Sequence, residues 1–128
     1  MTTVARSVQQ LEDTIIAVAT PSGRSAIAVV RLSGPRAFSI AANHLRPTPP
    51  QMRATHLCTV YDRDKILDQA LVTFFPAPNS FTGDDTVELS THGGYLVPSS
   101  VVAALISSGA RQALPGEFTR RAVLYGKL

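Results

Sequence analysis

Tryptophan is absent from the chain and only 6% of its residues are aromatic, which leaves little material for platforms that stack nucleic-acid bases. Cysteine occurs once, as Cys58, so no intramolecular disulfide can form and a reducing compartment fits best. Cys58 lies in an apolar, strand-like run, where a buried and inert thiol is expected. No stretch approaches the ~18 consecutive apolar residues of a membrane-crossing helix. The start, MTTVARSVQQLED, has no apolar core of signal-peptide type. A cytoplasmic chain without a membrane partner is expected. Charge is modest too: 12 Lys+Arg against 9 Asp+Glu give +3, which permits contact with RNA or an acidic ligand without demanding either.

Several chemical signatures are also missing. There is no G-x-x-x-x-G-K-[ST], so no P-loop, and Gly126-Lys127-Leu128 is no match. His44, His56 and His92 do not fall at metal-ligand spacing with Cys58 or with carboxylates, and no metal site is expected. No G-x-S-x-G or other nucleophile motif occurs, and no catalytic residue is assigned.

What is present describes an ordinary folded domain: 128 residues, 45% hydrophobic and 16% charged, enough for one core. Residues 1–12 read as a flexible arm and 13–128 as the domain. A nearly continuous apolar run over Thr14–Thr20 predicts a strand covered on both faces. A turn at 21–25 and a second strand over Ala26–Ser33 follow. Pro35–Leu45 reads as a helix burying Phe38, Ala41, Ala42 and Leu45. A proline-rich connection spans Arg46–Arg53. Strands over Thr55–Tyr61 and Ile66–Phe75 flank a charged tip and predict a hairpin. Thr86–Thr91 is a further strand, with Val87, Leu89 and Thr91 on one face and Glu88, Ser90 and His92 on the other. Leu96–Ser108 reads as a helix with a Val101, Val102, Leu105, Ile106 stripe, stopped by Gly109. A short strand at Arg111–Leu114 precedes a last helix opening at Pro115-Gly116-Glu117, with Phe118, Ala122 and Leu124 or Tyr125 inward. That order predicts an α+β domain with a mixed sheet and about three covering helices. The end immediately after a helix gives the expectation of a piece of a longer protein.

Two charges break the apolar patterns. Arg31 interrupts VVRLS, so either that face opens to solvent or the guanidinium meets an anion. Glu88 sits between Val87 and Leu89, either as a solvent-facing charge or as an acceptor-only carboxylate at a ligand site beside glycines.

Three stretches, DTIIAVATPSGRSAIAVVRLSG, PNSFTGDDTVELSTHGG and PGEFTRRAVLYGKL, together resemble the amino-terminal domain of the MnmE (TrmE) family of tRNA-modifying GTPases. They occur in the family's order over nearly all of 13–128, a far more specific signal than any one of them. The resemblance implies a fold similar to the folate-binding domain of one-carbon enzymes of the glycine-cleavage T-protein type. It implies a 5-formyl- or 5,10-methylene-tetrahydrofolate ligand contacted by Arg31, Glu88 and Lys127, and a homodimer. For the full-length protein it implies GTP, magnesium and potassium, a flavoprotein partner (MnmG, or GidA), and aminomethyl-type modification of the wobble uridine of tRNA. The helical and GTPase domains, the family's cysteine motif and its further folate contact near the full protein's carboxyl terminus have no counterpart in this sequence. Thr91 stands where the family more often has cysteine, and Tyr125 stands where asparagine usually precedes GKL, which puts the local helix cap in doubt.

The residue types are compatible with that ligand. A pterin edge offers adjacent N–H donors to a carboxylate, and a glutamate tail needs Lys or Arg. Two alternatives remain. One is a purely structural dimerisation module. The other is a stand-alone folate-dependent aminomethyltransferase, which would need a catalytic carboxylate such as Asp84, Asp85 or Glu117; Asp85 and Glu117 suit turn or helix capping better.

Overall fold

The computed structural model describes residues 13–20, 26–49 and 52–128. The arm at 1–12, the turn at 21–25 and residues 50–51 of the proline-rich connection lie outside them. Among the described residues the elements are β1 (Ile15–Val18), β2 (Ile27–Ser33), α1 (Ala37–Ala42), β3 (Leu45–Arg46), β4 (His56–Asp62), β5 (Lys65–Phe75), β6 (Thr86–His92), α2 (Leu96–Ser107), β7 (Arg111–Gln112) and α3 (Glu117–Leu124). The strands form one sheet in the order β3-β4-β5-β6-β2-β1-β7. All neighbours are antiparallel except β1 and β7, so the sheet is mixed and the domain is α+β. No helix among the described residues is long and apolar enough to cross a membrane.

Side-chain alternation decides the two faces of this sheet. Ile16, Val30, Leu32, Cys58, Val60, Ala70, Val72, Phe74, Val87 and Leu89 all point one way and are buried. Ala37, Ile40 and Ala41 of α1 and Val101, Val102, Ala104 and Leu105 of α2 cover them. Each fully buried Val, Leu or Ile contributes roughly 1.5–3 kcal/mol, so this layer dominates stability. Cys58 belongs to it, and burial pushes its thiol up from the ordinary value.

Three expectations need correction. Leu45 does not extend the first helix. His44 Nδ1 bonds the Tyr61 carbonyl at 2.9 Å and Tyr61 N–H donates to the His44 carbonyl at 3.0 Å, which draws the chain into β3 instead. The α2 stripe runs through Ala104, whereas Ile106 is 38% exposed. In α3, Leu124 and Tyr125 are partly exposed and the large buried residue is Arg121, at 2%. The doubt about the last cap is removed. Gly126, at φ 74°, lets its own N–H reach the Val123 carbonyl and lets Lys127 N–H reach the Ala122 carbonyl, a Schellman ending that does not involve the Tyr125 side chain.

Candidate functional site

The opposite sheet face carries the odd-numbered residues of β2 and the even-numbered residues of β6. Register places Ala17, Arg31, Glu88 and Thr73 in one row across four strands. Arg31 and Glu88 are therefore direct cross-strand partners. The Arg31 Nε donates to Glu88 Oε2 at 2.9 Å, and Nη2 approaches the same oxygen at 2.9 Å. Glu88 Oε1 makes no hydrogen bond to the described residues. At Arg31 the anion that the guanidinium meets is Glu88, and the side chain keeps 23% of its surface exposed.

Two segments partly roof this row. The first is the loop at 79–85. Its anchor is a buried hydroxyl cluster, with Thr82 Oγ1 2.5 Å and Thr86 Oγ1 3.0 Å from Ser33 Oγ. Gly83 N–H donates to Ser80 Oγ at 3.0 Å, and Asp85 Oδ1 accepts from Ala77 N–H at 2.8 Å, the expected turn-capping role. The loop holds Phe81 with its ring centroid 5.1 Å from Arg31 Cζ. The second segment is α3, which holds Phe118 with its centroid 5.6 Å from the same atom. Both distances lie within cation–π range. Arg31 and the two phenyl rings, with Ala17–Ala19, Ala113–Gly116 and Thr119, line a cavity of about 390 Å³. That volume falls within the range of small-ligand pockets.

Electrostatics refine what such a cavity can hold. Glu88 already neutralises Arg31, so the guanidinium that lines the cavity brings little net charge; Glu88 stands behind it as its partner and is not itself among the lining residues. Such a cavity suits a flat, largely apolar ring that can accept from the guanidinium better than a free anion. Lys127 is not brought to this cavity: its side chain is exposed beyond α3 and is not among the lining residues.

Sequence reasoning missed the ionic group that seats α3. Glu117 is 4% exposed and accepts from Arg111 Nη1 and Nη2 at 3.1 and 2.7 Å and from Leu114 N–H at 2.9 Å. Arg121 Nη1 donates to the Asp13 carbonyl at 2.6 Å, and its Nη2 lies 3.5 Å from Glu117 Oε2. Burial pushes the Glu117 carboxyl up, but the Arg111 and Leu114 bonds outweigh it and leave it below the usual carboxylate range. The signal in the sequence was the i, i+4 pair of Glu117 and Arg121; nothing in it marked either residue as buried.

His92 is also accounted for. Asp68 accepts from its backbone N–H and pairs with its Nδ1, both at 2.8 Å. Thr91 is buried, and its hydroxyl donates to the His92 carbonyl at 2.9 Å, a packing role that needs no thiol.

Comparison with known proteins adds a second line. The chain matches, over residues 14–127, the family described as the GTP-binding protein TrmE N-terminus. It is 48% identical over 118 residues to the tRNA modification GTPase MnmE of Chlamydia caviae, an alignment covering 91% of this chain and 27% of that protein. The MnmE proteins of Pseudothermotoga lettingae and Nitratiruptor sp. are 48% and 46% identical, with 92% and 90% of this chain and 27% and 26% of theirs covered. The chain thus spans about a quarter of the length of these relatives.

Proposed function

The chain belongs to the TrmE amino-terminal family, and from that premise we propose that it is the folate-binding and dimerisation domain of a tRNA modification GTPase. Its ligand is a 5-formyl- or 5,10-methylene-tetrahydrofolate, with Arg31 and its partner Glu88 at the pterin edge and Lys127, which lies outside the cavity, serving an anionic tail that projects from it. The domain's contribution is to place the one-carbon unit, since positioning alone supplies part of a barrier. In the longer protein, GTP with magnesium and potassium, the flavoprotein MnmG and tRNA complete the aminomethyl-type modification at C5 of the wobble uridine.

The observation that carries this reading is the neutralised Arg31–Glu88 pair beside an apolar cavity with two phenyl walls. The dimer half is supported by the uncovered remainder of the same sheet face, where Ile27, Leu57 and Leu71 are 59%, 60% and 50% exposed. The carboxylates that a stand-alone transferase would need, Asp84, Asp85 and Glu117, are each engaged in turn or helix contacts.

Isothermal titration with 5-formyltetrahydrofolate tests the proposal. Binding in the micromolar range is expected, weakened by about 1.5–3 kcal/mol in Glu88→Ala if the carboxylate makes charged hydrogen bonds. Equal affinity in the variant removes Glu88 from the site. Absence of any binding to wild type leaves the structural dimerisation module.

A further inference from the structure

Both aromatic walls of the cavity are carried by segments outside the sheet, and one side chain joins them. Asp84 closes the loop that bears Phe81. Its Oδ1 accepts the Tyr125 hydroxyl from the end of α3 at 3.0 Å. Its Oδ2 is buried without a hydrogen bond and faces Arg121 Nη1 of α3 at 3.7 Å. The contact is close on the apolar side as well: a Cβ built on Gly83 would lie 3.0 Å from Tyr125 Cβ and 3.2 Å from its Cγ. Phe118 lies two turns before Tyr125 on the same helix.

We propose that Asp84 is a positioning residue that ties the Phe81 loop to the Phe118 helix and so sets the gap between the two aromatic walls. Asp84 does not line the cavity and touches the ligand site only through these two segments. Loop and helix have separate footings. The loop stands on the Ser33–Thr82–Thr86 hydroxyls, and the start of the helix stands on Glu117 and Arg111. Without a cross-link, the far end of α3 and the loop tip can separate while both footings hold. Burial raises the Asp84 carboxyl above its ordinary value despite Tyr125 and Arg121 beside it.

What this inference says of ligand discrimination rests on the folate reading; the cross-link itself does not. The test uses Asp84→Ala, Asp84→Asn and Tyr125→Phe in the 128-residue chain. Two probes are titrated: 5-formyltetrahydrofolate, and p-aminobenzoylglutamate, which lacks the bicyclic head. Asp84→Ala and Tyr125→Phe are expected to weaken the folate about tenfold and the headless probe less than about twofold, because a lost hydrogen bond to a charged group acts only where the ring is gripped. Asp84→Asn keeps an acceptor for Tyr125 and is expected to recover most of the loss. General destabilisation would lower both affinities in proportion, and that result, or an asparagine variant no better than alanine, overturns the proposal. Hydrogen exchange is followed in the same variants. Amides of 80–83 and 118–124 are expected to exchange faster together while those of β2 stay protected; loosening of one segment alone also overturns it. If wild type binds neither probe, the folate reading fails and the exchange result alone decides the cross-link.

Discussion

Replacing Glu117 by glutamine should uncouple α3 from the sheet by an amount the structure allows to be worked out. The substitution keeps shape and one acceptor oxygen but removes the charge that faces Arg111 and Arg121. Breaking one side of a buried ion pair costs about 3–5 kcal/mol. Arg111 has a side chain 37% exposed and can turn to water, so its share is discounted. Arg121, at 2% exposure, cannot, although Asp84 and the Asp13 carbonyl still face it. A loss of about 3 kcal/mol follows for a buried charge left with weakened compensation. For a domain of this size that lowers Tm by about 10–15 °C. Because the folded-state carboxyl of Glu117 lies below its ordinary value, its contribution is complete above the unfolded value of about 4.3 and is lost as pH falls through the folded one. Thermal unfolding of wild type and Glu117→Gln, followed by circular dichroism from neutral pH downward, should show a wide gap at neutrality that narrows in acid. A gap under about 3 °C at neutral pH, or one that does not change with acid, refutes the assignment of Glu117 as the ionic seat of α3.

Two further substitutions probe the frame. Gly34 has φ 147°, and a Cβ there would lie 2.5 Å from Thr14 Cα and 2.8 Å from the Asp13 carbonyl oxygen, both backbone atoms, so Gly34→Ala should cost more than about 2 kcal/mol in urea unfolding. Leu89 is fully buried at the centre of the sheet, and Leu89→Ala should cost about 2–5 kcal/mol with an unchanged denaturant slope.

Much of the frame was legible along the chain because it depends on short-range periodicity. Val87, Leu89 and Thr91 alternate with Glu88, Ser90 and His92 as a half-covered strand must, and their burial follows. Asp62-Arg63-Asp64-Lys65 marked a hairpin tip, and β4 and β5 do pair across it. The charged interruptions at Arg31 and Glu88 marked positions that either open to solvent or meet a partner, since charge inside an apolar strand pattern is costly alone; that they face each other comes from the register. Where periodicity was a poor guide, long-range contacts had won. His44 and Tyr61 exchange hydrogen bonds that end α1 early, and α3 buries a guanidinium in place of a leucine.

The sequence alone determined which residues alternate, where the chain turns, and which family motifs it carries in which order. Each of these depends on neighbours a few positions apart. Tertiary structure alone decided that Arg31 and Glu88, 57 positions apart, neutralise one another, that Phe81 and Phe118 close over the same guanidinium, and that Asp84 joins their two segments. Strand register, set by the burial of the opposite sheet face under α1 and α2, and the docking of α3 through Glu117, Arg111 and Arg121 bring these groups together, and no local pattern specifies either.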